Sequence, residues 1–339
     1  AITIQILDVE NEGNPVIAGL ASSIVVDENQ GSVIQFTVSD PQNDTITFSL
    51  SGADKDLFSL IFDGSAATLT MSSVDYETPS DADNNNIYSV SVNFSDDLNT
   101  TTQAVEFSIN NLNDNSPTFD STFSSSVSIE ENQTSVTSVE ASDADGDSLT
   151  YLLSGTDSSD FSISNLGVIS MNSAPNYENK QSYSFNVTIS DGVNEAALGM
   201  VITILNVNET PVFTNYTSGV LAQILANENV TDLITIAATD EDGDALTFNV
   251  TGVDAAMFSI TNAGVLSLLN GLDFEDPIDS DSDNTYTIAV SVSDSALSSS
   301  VDFALTVQNV NDNAPIISNL PSNTDVSNGQ TSIVTITVT

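Results

Sequence analysis

Cysteine, histidine and tryptophan are absent from this 339-residue chain, and basic residues nearly so: 2 Lys plus Arg stand against 48 Asp plus Glu, a formal net charge of -46. Each absence excludes something. Without Cys there are no disulfide staples, and without His or Cys there are neither Cys/His zinc sites nor Ser–His and Cys–His catalytic dyads. Nucleic acid and anionic membranes are bound mainly through Lys and Arg, so a surface this negative repels both. No apolar run reaches the roughly 18 residues that a membrane-spanning helix needs. What remains as partner is a cation or a neutral group.

Hydrophobic residues make up 40% of the chain, with 15 Phe and 7 Tyr, which is a folding composition and not a disordered one. The length is more than twice a usual domain of about 150 residues, so several domains are expected. Lack of Cys in an acidic, Ser/Thr/Asn-rich chain fits a secreted bacterial protein, and is also compatible with the cytosol. Ala1–Leu7 alternates like a strand and lacks the basic head of a signal peptide.

Self-similarity appears at a period of about 100 residues. Glu131-Asn132 recurs as Glu228-Asn229 and, earlier, as Glu28-Asn29. Asp143-Ala-Asp145-Gly-Asp147 returns as Asp240-Glu-Asp242-Gly-Asp244, and Asn111-Leu-Asn113-Asp114-Asn115-Ser-Pro117 as Asn309-Val-Asn311-Asp312-Asn313-Ala-Pro315. The repeats are placed at 14–113, 114–208 and 209–313. Residues 1–13 read as the last strand and linker of a preceding repeat, and 314–339 as the first strands of a further, truncated one. Period-2 alternation in Ser184–Ser190 and Tyr286–Ser293 is that of half-buried strands. Asn-Leu-Gly before Val168 and Asn-Ala-Gly before Val265 are hairpin signals, since Asn and Gly accept positive φ. About seven short strands per repeat predict an all-β fold of tandem seven-stranded Greek-key sandwiches. A solenoid is set aside because its period of about 20–50 residues is too short.

Most acidic residues on a protein are only a solvated face. Here some recur at fixed places: a Glu ending the first strand (Glu28, Glu131, Glu228), an acidic pair around an aromatic residue (Asp75 and Glu77, Asp273 and Glu275, with Asn176 and Glu178 between), an Asp-rich loop, and a late Asp (Asp96, Asp191, Asp294). Clustered carboxylates with almost no base to neutralise them are costly unless a cation does so. Carboxylates mixed with Asn amides and carbonyls suit Ca²⁺, which takes 6–8 oxygens, better than Mg²⁺ or the softer metals. Asp143–Asp147 is not an EF-hand loop, having Gly146 at the fourth position and Ser154 at the twelfth, and no Gly-Gly-x-Gly-x-Asp nonapeptide occurs.

In this order and repetition, the motifs resemble the cadherin repeat family over nearly the whole chain. The resemblance implies seven-stranded sandwiches joined by calcium-binding linkers. For the first joint it implies Glu28, Asp75, Glu77, Asn111, Asn113, Asp114, Asn115, Asp143, Asp145 and Asp191 as ligands, with Asn111 where the family has Asp. For the second it implies Glu131, Glu178, Asn206, Asn208, Glu209, Asp240, Asp242 and Asp294, a weaker set because Asn176 and Asn208-Glu209-Thr210 depart from the motif. For the third it implies Glu228, Asp273, Glu275, Asn309, Asn311, Asp312 and Asn313. Asp40 and Asp96 can face an ion at the upstream end of the first repeat, while Ser327-Asn328 stands where a fourth Glu-Asn is expected.

The resulting expectation is a calcium-rigidified stalk or adhesion segment, not an enzyme, in a long extracellular surface protein or filament. A marine bacterial adhesin suits the near-absence of bases, because salt screens surface charge. The partners are calcium ions, neighbouring repeats of the same long chain, and self-association or surface glycans. Adhesion through a docked Trp is unsupported, there being no Trp. The rival reading is an array of calcium-dependent carbohydrate-binding modules, for which Tyr88, Tyr151, Tyr183 and Tyr286 would have to be exposed platforms instead of core. A glycosidase carboxylate pair is the third, but each pair recurs in every repeat as structural ligands do. Asn-x-Ser/Thr sequons, such as Asn43, Asn93 and Asn249, leave glycosylation open.

Overall fold

The computed structural model describes residues 13–318, 328–329 and 335–338. The strand expected at 1–7, the linker after it and Ser327 lie outside the described residues. The chain divides into two compact units, Ala1–Asn176 with Lys180–Leu205, and Tyr177–Asn179 with Asn206–Thr339.

The first unit opens with eight strands: β1 (Val16–Ala18), β2 (Ser23–Asp27), β3 (Ser32–Ser39), β4 (Thr47–Ser51), β5 (Phe58–Phe62), β6 (Ala66–Met71), β7 (Ile87–Ser95) and β8 (Thr100–Asn110). They form two four-stranded sheets, ordered β1-β3-β6-β5 and β2-β8-β7-β4. β1 and β2 are one opening strand broken in two. β1 pairs antiparallel with β3 in one sheet, and β2 pairs parallel with β8 in the other. Gly19 stands at the break with φ 87, a conformation open to Gly at little cost. The expected seven strands are therefore present, with the first divided between sheets.

The same unit continues with β9 (Thr118–Phe119), β10 (Ser126–Glu130), β11 (Ser135–Ser138), β12 (Ala141–Ser142), β13 (Thr150–Ser154), β14 (Phe161–Ile163), β15 (Val168–Met171), β16 (Ser182–Ser190) and β17 (Glu195–Leu205). The main sheet is β10-β17-β16-β13, again with a parallel first pair, faced by β11-β15-β14 and the short pair β12-β9. The second unit repeats this order in β18 (Val212–Phe213), β19 (Ala222–Asn227), β20 (Asp232–Thr235), β21 (Ala238–Thr239), β22 (Thr247–Thr251), β23 (Phe258–Ile260), β24 (Val265–Leu268), β25 (Thr285–Ser293) and β26 (Ser298–Gln308). Its sheets are β19-β26-β25-β22, β20-β24-β23 and β18-β21, and a short pair follows in β27 (Ile317–Ser318) and β28 (Thr337–Val338).

Alternation sets which residues are inside, because successive side chains on a strand face opposite ways. Along β7 the inward set is Tyr88, Val90, Val92 and Phe94; along β16 it is Tyr183, Phe185, Val187 and Ile189; along β25 it is Tyr286, Ile288, Val290 and Val292, all buried. Phe107 and Phe303 meet them from the neighbouring strands, and burying each such side chain contributes about 1.5–3 kcal/mol. Among the described residues, only single 3₁₀ turns interrupt the strands, at Lys55–Leu57, Ser158–Asp160 and Ala255–Met257. Among the described residues no helix is long and apolar enough to cross a membrane.

Before each 3₁₀ turn sits an acid, buried at Asp54 and Asp254 and half-buried at Asp157. One oxygen accepts the N–H of Ser89, Ser184 or Thr287, each at 2.7 Å, and so ties the turn to the long strand beside it. The other oxygen separates the repeats. In the first and third it accepts a backbone N–H, from Ala82 and Ser280, within a loop rich in Asp and Asn. In the second that loop is shorter and Lys180 Nζ takes the position, 2.6 Å from Asp157.

Candidate metal centre

The expected first joint lies wholly in the first unit. Glu28, which follows β2, is fully buried. Its Oε1 accepts the linker N–H of Leu112 and its Oε2 that of Tyr76, both at 2.8 Å. The strand end, the linker and the Asp75–Glu77 loop are thus held by one carboxylate. Asp75 turns on its own loop, accepting the N–H groups of Glu77 (2.9 Å) and Thr78 (3.1 Å); the Thr78 side-chain hydroxyl foremost, and then these N–H groups, lower its pKa against the opposing effect of burial.

Glu77 behaves differently. Its Oε2 accepts Asn115 Nδ2 at 3.2 Å, but its Oε1 is buried with no donor. Burial first, with the like charges of Glu28 and Asp145 behind it, pushes this carboxyl up to about 7. Asp145 goes the other way: burial works against its charge, yet hydrogen bonds from Asn115 and Asp114 outweigh it and lower its pKa. Its Oδ2 accepts the N–H groups of Asp114 (3.1 Å) and Asn115 (2.9 Å), and its Oδ1 accepts Asn115 Nδ2 at 2.8 Å.

Glu28, Glu77, Asp114 and Asp145 each offer an oxygen, and these lie within 4.8 Å of one another. Asp143, Asp145 and Asp147 form a second such group, sharing Asp145. At that spacing each pair of like charges repels by about 3 kcal/mol at an effective dielectric of about 20. The six pairs of the first group would then cost more than the roughly 5–15 kcal/mol that stabilises a whole domain. A fully ionised cluster needs a counter-charge, and the chain's ammonium groups are elsewhere: Lys55 pairs with Asp56, Lys180 with Asp157 and Asp160.

Two further oxygens of this joint behave like Glu77 Oε1. Asp143 Oδ2 and Asp191 Oδ2 are buried without a donor, while the partner oxygen of each accepts backbone N–H groups from its own loop. Orphaned, buried and anionic oxygens beside Asn carboxamides fit a hard divalent cation such as Ca²⁺.

Asn111 is not simply a weaker Asp. Its Nδ2 donates to the Asp145 backbone oxygen at 2.9 Å, a bond a carboxylate cannot make. Asn113 donates to the Asp191 oxygen at 3.4 Å. Asn194, which the sequence reading passed over, donates to Asn113 Oδ1 (3.2 Å) and to the Asn115 oxygen (3.1 Å), holding the linker from its downstream side. The signal for it was weak: an Asn three residues after the late Asp occurs also at Asn99, but Leu297 stands there in the third repeat.

In the second unit the third joint repeats the pattern. Glu228 is buried, and its oxygens accept the N–H groups of Val310 (2.6 Å) and Phe274 (2.9 Å). Glu228, Glu275 and Asp312 bring oxygens within 4.8 Å of one another. Asp273 closes its own turn on the Glu275 N–H, Asn309 donates to Glu275, and Asn311 and Asn313 are exposed.

The second expected set is divided between the units. Glu131, buried beyond β10, belongs to the first; Glu178 and Asn206, both exposed, belong to the second. Within the second unit Asp240, Asp242 and Asp244 group their oxygens, Glu209 donates its N–H to Asp242 (3.0 Å), and Asn208 donates to Asp294 (2.9 Å). At the upstream end of the first repeat Asp40 and Asp96 are both buried; Asp40 Oδ2 has no donor, and its Oδ1 accepts the Gln42 and Asp44 N–H groups. Of the tyrosines weighed as sugar platforms, Tyr88, Tyr183 and Tyr286 are buried and Tyr151 is half-buried.

Residues 113–203 match a family model described as a bacterial Ig domain. Over 233 residues, 64% of this chain, the sequence is 31% identical to Cadherin EGF LAG seven-pass G-type receptor 2 of Mus musculus, and over 341 residues, 94% of the chain, 28% identical to Protocadherin-15 of Gallus gallus. The chain spans 8% and 17% of the lengths of these two relatives. Among solved structures, mouse Cadherin-23 EC22-24 matches with a TM-score of 0.51 at 20% identity, covering 88% of this chain and 100% of that one. Protocadherin gammaB7 EC3-6 matches at 0.52 and 21%, covering 88% and 76%. The chain is made of cadherin-like repeats. In this cadherin-like frame, the Glu at the first strand's end, the acidic loop and the linker are the parts that meet at one end of a sandwich.

Proposed function

We propose that this chain is a calcium-stiffened stretch of a long extracellular adhesion or stalk protein, with ions held at the ends of the repeats 14–113, 114–208 and 209–313. The observation that carries the reading is the first joint: four carboxylates with oxygens within 4.8 Å of one another, one of them holding a buried oxygen without a donor, and no base among them. Glu28, Glu77, Asp114, Asp143, Asp145 and Asp191 would hold the ions, with Asn111, Asn113 and Asn115 completing the oxygen set and fixing the linker. A bound cation supplies counter-charge and joins ligands from two repeats and the linker. The protein's own part is geometric: Glu28 accepts a linker N–H from the upstream side and Asp145 accepts two from the downstream side, so ligands of both sides are gathered on one linker. Binding that favours the ordered joint stabilises it by mass action.

An extracellular setting is supported by the cadherin and protocadherin relatives, one solved neighbour being the extracellular domain of Protocadherin GammaB4. A bacterial surface protein, an adhesin or filament, is supported by the bacterial Ig match and by the near-absence of Lys and Arg. Removing calcium with a chelator should lower the melting temperature and broaden the distribution of shapes in solution scattering. Superimposable scattering profiles and equal melting with and without chelator would overturn the reading.

A further inference from the structure

We infer that Asn29 and Asn229 are positioning residues whose amides orient the linker carboxylates Asp114 and Asp312 and so set how tightly the joints take up a divalent cation; this rests on the reading of the joints given above. Each follows the buried Glu beyond its repeat's first strand, and each stands in the left-handed region, with φ 58 and 65. Gly would meet that backbone demand with less strain, so the backbone alone does not account for an Asn.

The carboxamide does a second job. Asn29 Nδ2 donates to Asp114 Oδ2 at 2.6 Å, and Asn229 Nδ2 donates to Asp312 Oδ2 at 2.8 Å. The backbone N–H groups of the same residues donate to the Val74 oxygen (2.8 Å) and the Leu272 oxygen (2.9 Å), directly ahead of Asp75 and Asp273. One residue therefore ties a strand end, an acidic loop and a linker. The same contacts recur in both compact units. Asp114 Oδ1 accepts Asn115 Nδ2 at 3.0 Å, so both oxygens of a carboxylate grouped with Glu28, Glu77 and Asp145 are oriented.

An amide donor suits this place on two grounds. It fixes the carboxylate's orientation before any ion arrives, and it offsets repulsion from the neighbouring acids. An Asp at position 29 would add to that repulsion, and a Gly would leave Asp114 to swing. Partners of this outer kind change metal affinity by roughly 10- to 100-fold.

The test uses the 339-residue chain with Asn29→Gly and, as a second variant that keeps a side chain tolerant of the left-handed region, Asn29→Asp. Calcium chloride is titrated calorimetrically, and melting is followed separately in chelator. Asn29→Gly should bind as many ions as the wild type, with one class of site about tenfold weaker, and its loss of stability in chelator should be smaller than its loss of calcium-binding free energy; Asn29→Asp should weaken the same class. Asn229→Gly should weaken a different class, and the double variant should show both losses, the two amides belonging to different compact units and sharing no partner. An unchanged dissociation constant in Asn29→Gly overturns the positioning role. So does a loss of affinity matched by an equal loss of stability in chelator, since the amide would then be holding the turn itself. A wild-type chain that takes up no calcium overturns the reading of the joint, and the positioning role with it.

Discussion

Asp54 and Asp157 are as acidic in sequence as Asp143, yet donors reach both oxygens of each while Asp143 Oδ2 has none. A donorless oxygen is thus one mark of a candidate ligand without being a requirement for one, since both oxygens of Glu28 and of Asp145 have donors. The second repeat allows a direct test of the structural kind. Lys180 Nζ lies 2.6 Å from Asp157 and 4.0 Å from the centre of the Tyr183 ring. Lys180→Met should cost about 1 kcal/mol near neutral pH, the upper end for a partly exposed pair, because Asp157 is mostly covered. The pH dependence has a definite sign. The hydrogen bond from Lys180 is the first cause lowering the Asp157 pKa below 3.8, so its contribution is present above that value and is lost as pH falls through the folded pKa. The Lys180 pKa is raised above 10.5 by the same contact, so the contribution is also lost as pH rises through its folded value. Denaturant melts of both chains should show the largest gap between these limits; a gap unchanged down to about pH 2 would contradict the pairing.

Strand character was legible at the level of elements, because alternation is local: Ser184–Ser190 and Tyr286–Ser293 lie within β16 and β25. The two hairpins anticipated before Val168 and Val265 also form, between β14 and β15 and between β23 and β24. Only half of the reason given for them holds. Gly167 and Gly264 have φ of 77 and 76, while Asn165 and Asn262 are not in the positive region. At Gly264 an added Cβ would fall 1.9 Å from the Ile236 oxygen, which accepts no such approach without a backbone shift. Gly264→Ala should therefore destabilise the third repeat by about 3 kcal/mol, combining strain at positive φ with displacement of backbone. A thermal melt showing less than half a degree of change would remove that explanation. The break that sends β1 and β2 into different sheets was not legible, since the alternation of a strand does not say which neighbour it pairs with.

For the whole molecule the charge of -46 is a property that salt and calcium should affect differently. Monovalent salt screens charges beyond a Debye length of about 8–10 Å, so it relieves repulsion across the surface but acts weakly on oxygens within 4.8 Å of one another. Raising sodium chloride in chelator should stabilise the chain gradually. Adding millimolar calcium at fixed high ionic strength should raise the melting temperature again, in a saturable step. If high salt abolishes that step, the clusters are ordinary surface charge.

The repeat period, the all-β cadherin-like character and the short list of recurring acids are legible in the amino-acid order alone. These are local or periodic properties, readable wherever the same residues return at the same spacing. Which acids lack donors emerges once the chain is folded. Glu77, Asp143 and Asp191 come out with an orphaned oxygen, Asp75 with its carboxylate turned on its own loop, and Asn194, Asn29 and Asn229 with amides on the linkers. Hydrogen-bond donors arrive from strands and loops tens of residues away, and no spacing along the chain records whether they reach.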